Sequence, residues 1–199
     1  MNAKDRELIQ AAADNDVASL RRLIDEGASL NSKDARGRTA LLTAVAGEHV
    51  EAALLLIDAG SDINEQDLIL DSPFLLAGAN GSLEILKRML QANPDFSLYN
   101  RYGGTALIPA CERGHVEAVK LLLETDMDID HVNHLGWTAL LEAIVLSDGG
   151  PRHQEIVRAL IAAGAKLNIA DKDGVTPLQH ARREGFSEIA NLLQAAGAQ

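Results

Sequence analysis

Apolar residues recur along the chain in a compound rhythm. Leu41, Ala44 and Val45 fall at helical spacing, a polar turn follows, and Val50, Ala53, Leu54, Leu56 and Ile57 mark a second apolar face that ends at Gly60. The pattern predicts two short helices joined by a turn. Neither helix could bury its stripe alone, so copies of the pair must stack. The chain supplies those copies. Thr39, Ser72, Thr105 and Thr138 stand 33 residues apart, and Thr176 follows after 38. The first segment aligns with the rest when shifted by 33, Leu8 onto Leu41 and Gly27 onto Gly60.

Each Thr or Ser suits a helix N-cap, whose hydroxyl accepts from a free amide of the first turn. Gly60, Gly164 and Gly197 suit left-handed C-caps. The phrases "DKDGVTPLQHA" (171–181), "GHVEAVKLLL" (114–123) and "AGSDIN" (59–64) together resemble the ankyrin repeat of small, stand-alone bacterial type, and the resemblance covers essentially the whole chain. It implies an all-α solenoid of stacked helix-turn-helix repeats with projecting β-turn fingers. The expected organisation is one domain, 1–199, with repeats at about 2–33 (N-cap), 34–66, 67–99, 100–132, 133–170 and 171–199 (C-cap).

Three departures stand out. "DLILDSPF" (67–74) lacks the turn glycine found as Gly37, Gly103, Gly136 and Gly174, so the third finger is expected to have an altered turn. Pro109 is placed at the end of its helix's first turn, where a missing N–H costs little. The fifth repeat carries five extra residues, assigned to 147–151 in the turn between its helices, with Pro151 as the first residue of the second helix.

Composition narrows the picture. The chain is 47% hydrophobic but 3% aromatic, so Ala, Leu, Ile and Val must fill the interior. A net charge of −11 repels nucleic-acid phosphates and anionic lipid, and no uncharged apolar run approaches the roughly 18 residues of a membrane span. Neither nucleic acid nor membrane is expected as a partner, and the cytoplasm is the expected location. One cysteine, Cys111, precludes a disulfide within the chain.

Reactive groups have structural explanations. Cys111 and His115 are four apart, but Cys111 occupies a small buried repeat position and His115 belongs to the inter-helix phrase. His131 and His134 lack a third metal ligand at a recognised spacing. Gly103-Gly104 lacks the lysine of a phosphate loop. No enzyme activity, metal or cofactor is expected.

Ankyrin resemblance instead implies binding of a protein partner, of unidentified kind, through the concave face of fingers and first helices. Carried over by position, the contact residues are Leu68, Ile69, Arg101, Tyr102, Arg113, His134, Leu135, Trp137 and Glu142. Tyr102, Leu135 and Trp137 are the apolar anchors, and Arg101, Arg113 and Glu142 the polar rim. A monomer is expected, with weak self-association through the fingers as the other outcome. The alternative function is a small-anion or metabolite site, catalysis left open, beside the insertion: Pro151 opens a helix N-terminus next to Arg152 and His153.

Overall fold

The computed structural model describes residues 1–199 and contains helices and turns but no strand. Twelve α-helices follow the repeat in pairs. They are α1 (Ala3–Ala13) and α2 (Val17–Asp25), α3 (Ala40–Ala46) and α4 (Val50–Asp58), and α5 (Pro73–Asn80) and α6 (Leu83–Met89). Then come α7 (Leu107–Glu112) and α8 (Val116–Leu123), α9 (Ala139–Val145) and α10 (Pro151–Ala162), and α11 (Pro177–Arg183) and α12 (Ser187–Ala195). The chain condenses into two compact units, Met1–Arg101 and Tyr102–Gln199.

Both units use the same two-layer packing. In the first, α1, α3 and α5 stack in sequence, as do α2, α4 and α6; in the second, α7, α9 and α11 stack, as do α8, α10 and α12. Small residues make the first layer possible. Ala11, Ala44, Ala77, Ala110, Ala143 and Ala181 hold one repeat position and are all buried. Leucine and isoleucine fill the space around them, including Leu41, Leu56 and Ile85 in the first unit and Leu107, Leu140 and Ile156 in the second. Close packing without large rings explains how so few aromatics suffice.

The predicted N-caps form in four repeats. Thr39 accepts from the Leu42 amide, Ser72 from Leu75, Thr138 from Leu141 and Thr176 from Gln179, at 3.2–3.3 Å. The fourth repeat departs from this. In the other four, the N-cap carbonyl receives the amide four residues on: Thr43 on Thr39, Leu76 on Ser72, Glu142 on Thr138, His180 on Thr176. The matching residue in the fourth repeat is Pro109, which has no amide to give. Its helix starts later, after Ala106, and the Thr105 hydroxyl is buried without a partner. Pro109 is thus the third residue of its helix, at the end of the first turn, where the missing N–H costs little as expected; what the shift gives up is the Thr105 cap.

The insertion is shared between loop and helix. Three residues, 113–115, separate α7 from α8, whereas five, 146–150, separate α9 from α10. The other three extend the start of α10, which begins with Pro151 as expected; α10 runs for 12 residues against 8 for α8, the fourth extra residue lying at its C-terminal end.

Candidate functional site

In four of the five fingers one side chain organises the turn. Asp34, Asp67, Asn133 and Asp171 direct an oxygen at the amides two and four residues on, at 2.8–3.0 Å. Their own amides reach the carbonyls of Arg38, Asp71, Trp137 and Val175, closing each hairpin. Such turns form wherever a short Asp or Asn side chain meets free amides.

The third finger keeps this geometry, which corrects the expectation of an altered turn. The Leu70 amide bonds to the Asp67 carbonyl as Gly37 does to Asp34, and Leu70 takes φ 62° where Gly37 takes 78°. A leucine in the left-handed region is strained by roughly 1–2 kcal/mol. The strain holds three apolar residues at one tip: Leu68 is 75% exposed, and Ile69 and Leu70 are exposed with it. Neighbouring fingers are also stitched together. The Leu68 amide donates to the Arg36 carbonyl at 3.1 Å, and Arg38 reaches the buried Asp67 carboxylate at 3.2 Å. Arg101 lies 3.9 Å from Asp71 with its side chain half exposed.

In the second unit the His134 amide donates to the Tyr102 carbonyl at 2.8 Å, and Lys172 donates to the His134 carbonyl. His131 donates from Nε2 to the Gly103 carbonyl at 2.6 Å. Tyr102 and Leu135 are about half exposed, Arg113 and His134 are exposed, and Trp137 is half-buried. No group of three or more His, Cys, Asp or Glu side chains is placed to hold a metal ion. Cys111 is fully buried, and burial, with the nearby Glu142 charge, pushes its thiol well above the usual range. A thiol so disfavoured as thiolate is a poor nucleophile.

Glu142 is not a rim residue. It is 5% exposed, and its Oε1 accepts from Asn133 Nδ2 at 2.7 Å. Burial raises its carboxyl to about 7, with Glu112 adding like-charge repulsion and the Asn133 bond opposing. The sixth repeat has a hydrogen-bonded pair at the same spacing, nine residues after its finger Asp: His180 Nε2 lies 2.7 Å from Asp171 Oδ2. The Val175 amide and His180 both hold the Asp171 carboxyl below its ordinary value.

His153 is likewise committed to the fold. Its Nε2 lies 3.0 Å from the Glu112 carbonyl and its Nδ1 3.1 Å from Asp148, whose carboxyl is lowered first by the Gly150 amide and then by His153. The repeat interval of 38 carries His115 onto residue 153, so His153 is the inter-helix histidine of the fifth repeat. Of the expected anion pair only Arg152 stays exposed and unengaged.

Sequence and structure comparisons agree with this architecture. Residues 74–171 match the family described as ankyrin repeats (3 copies), and residues 8–57 the one described as ankyrin repeats (many copies). An ankyrin repeat domain from Acinetobacter baumannii AYE is similar at 50% identity, over 96% of this chain and 98% of that one, with a TM-score of 0.93. The ankyrin repeat protein EF0377 is similar at 42% identity, over 98% of both chains, with the same TM-score. The ankyrin repeat protein YahD of Escherichia coli (strain K12) is 58% identical over 57 residues, which is 29% of this chain and 28% of that protein.

Proposed function

Because the chain belongs to the ankyrin-repeat family, whose members are in general non-catalytic protein-interaction modules, we propose that it docks a partner protein through its finger tips and first helices. In the first unit the contact residues are Leu68, Ile69 and Arg101. In the second they are Tyr102, Arg113, His134, Leu135 and Trp137. Glu142 supports that surface from beneath by holding Asn133.

The observation that carries this reading is apolar exposure on hydrogen-bonded turns. Leu68, Ile69, Tyr102 and Leu135 all leave large apolar surface in water while their backbones are fixed by Asx turns or inter-finger bonds. Fixed apolar surface binds without the entropy loss of ordering a loop, and such patches mark interaction sites. No helix is long and apolar enough to cross a membrane. The test is affinity capture from native lysate with wild type beside two variants: Leu68→Ser with Ile69→Ser, and Leu135→Ser with Trp137→Ala. Loss of the same partner in either variant, with helicity and melting cooperativity retained, supports the assignment. An unchanged partner profile in both refutes it.

A further inference from the structure

Two residues of the third finger are not what the stack asks for. In the second unit, the residue after the finger Asp or Asn lies across the turn glycine of the preceding finger, and it is polar. A Cβ on Gly103 would stand 2.6 Å from the His134 ring, and one on Gly136 2.6 Å from Lys172 Cγ. Leu68 holds that position in the first unit, its Cγ 3.2 Å from the place of a Cβ on Gly37. A histidine or a lysine therefore covers a turn glycine as a leucine does, and the stack has no need of the aliphatic side chain that Leu68 leaves in water. Leu70 departs further. At φ 62° a glycine is unstrained and a leucine is not, yet the Leu70 side chain is exposed as well. Positions that break a local rule without a gain in the fold are where function is expected.

The charge around this tip runs against that of the chain. Although the net charge is −11, the fingers of the first unit bring together Lys33, Arg36, Arg38 and Arg101. The acids beside them are used up internally. Asp34 and Asp67 each give a carboxylate oxygen to the amides of their own turn, Arg38 reaches Asp67, and Arg101 lies near Asp71. Lys33 pairs with Glu65. Of the four cations, Arg36 is exposed and its guanidinium has no hydrogen-bond or ion-pair partner. The Arg36 carbonyl takes the Leu68 amide at 3.1 Å, and the Leu68 side chain rests on Gly37, the next residue. An unpaired cation and the apolar tip therefore belong to one surface.

We propose, on the basis of docking through the fingers, that the second and third fingers anchor an acidic, apolar segment of the partner protein. Its aliphatic or aromatic side chains pack on Leu68, Ile69 and Leu70, and an aspartate or glutamate beside them meets Arg36. A carboxylate can take two parallel N–H bonds from a guanidinium, which fixes its direction as well as its charge. Apolar contact supplies the affinity. The charge selects the partner, because a basic segment would bring like charges together at Arg36.

The test selects binders of the immobilised full chain from a random peptide library displayed on phage. Wild type is run beside Arg36→Glu and beside Leu68→Ser with Ile69→Ser. All three side chains are exposed, and retained helicity and melting confirm that each variant folds. Wild type is expected to recover sequences in which Asp or Glu adjoins Leu, Ile, Phe or Trp, and the double variant to lose them. Arg36→Glu is expected to recover Lys or Arg beside the same apolar residues. One recovered acidic peptide, made synthetically, should bind Arg36→Ala up to about fivefold more weakly than wild type, the worth of an exposed ion pair, and high salt should erase the difference. Absence of acidic, apolar sequences, the same sequences from Arg36→Glu, or their retention by the double variant overturns the proposal. The two readings fail separately. Peptides lost in the double variant but indifferent to Arg36→Glu refute the charge and keep the docking surface, whereas a lysate partner profile unchanged by both finger variants refutes docking through the fingers itself.

Discussion

Replacing Glu142 with glutamine isolates the energetic effect of one buried acid. The change keeps the shape of the side chain and an oxygen to accept from Asn133 Nδ2, and removes only the charge. Below pH 4.5 the carboxyl is protonated in folded and unfolded chains alike, so the two proteins are matched. As pH rises, the unfolded chain releases its proton first, while burial and Glu112 hold the folded one until about pH 7. Wild-type stability therefore falls through this window relative to the glutamine variant, and the gap is constant above it. A displacement from 4.5 to about 7, at about 1.4 kcal/mol per pH unit, sets a ceiling of roughly 3 kcal/mol. The residue is 5% exposed, and partial screening of its charge brings the expected gap to about 2 kcal/mol. Urea unfolding of both proteins at half-unit steps from pH 4.5 to 8.5 reads it directly. Asp5, held down by the Ser29 amide and the Ser32 hydroxyl, loses its contribution as pH falls. It does so equally in both proteins and cancels in the difference. A gap that stays flat across the range refutes the account of Glu142.

Two further predictions test the cap and the insertion. Thr105→Val removes a hydroxyl that is buried without a partner and should stabilise by about 1 kcal/mol. Thr138→Val removes a working cap and should destabilise by about the same amount; melting temperatures that move in the same direction would contradict the role given to Pro109. Gly149→Ala should destabilise by roughly 2 kcal/mol or more, because Gly149 has φ 65° and its new methyl would enter the Phe186 ring. Gly174→Ala, at φ 76° with open space around it, should lose only the backbone part, about 1 kcal/mol. Equal losses in chemical denaturation would remove Phe186 from the explanation.

The repeat period alone made the helices, their order and four of the caps legible, because stacking forces every copy into one shape. What escaped sequence reading depends on neighbours in space. Asp34, Asp67, Asn133 and Asp171 share one repeat position, yet an Asp or Asn in a turn looks like any polar loop residue until its amide partners are seen. Glu142 reads as a surface charge, but its position is that of Thr43, Leu76, Pro109 and His180, none of them exposed, and in the last two repeats it bonds to the finger residue nine positions earlier. His153 sits within the irregular stretch and reads as part of the insertion. Counting 38 residues from His115 would have identified it. Leu70 defied the glycine rule because the bonds around Asp67 outweigh the strain of a left-handed leucine.

His153 also acts as a phase reset. The extra residues enter after α9, and by the time the imidazole meets the Glu112 carbonyl the chain is back in step, so α10 stacks on α8 as if nothing had been added. Loop length in this repeat is thereby uncoupled from the stack. The stretch between Leu146 and Asp148, ahead of Gly149 and its Phe186 contact, becomes a natural graft point where new sequence can be carried without shifting the repeats on either side.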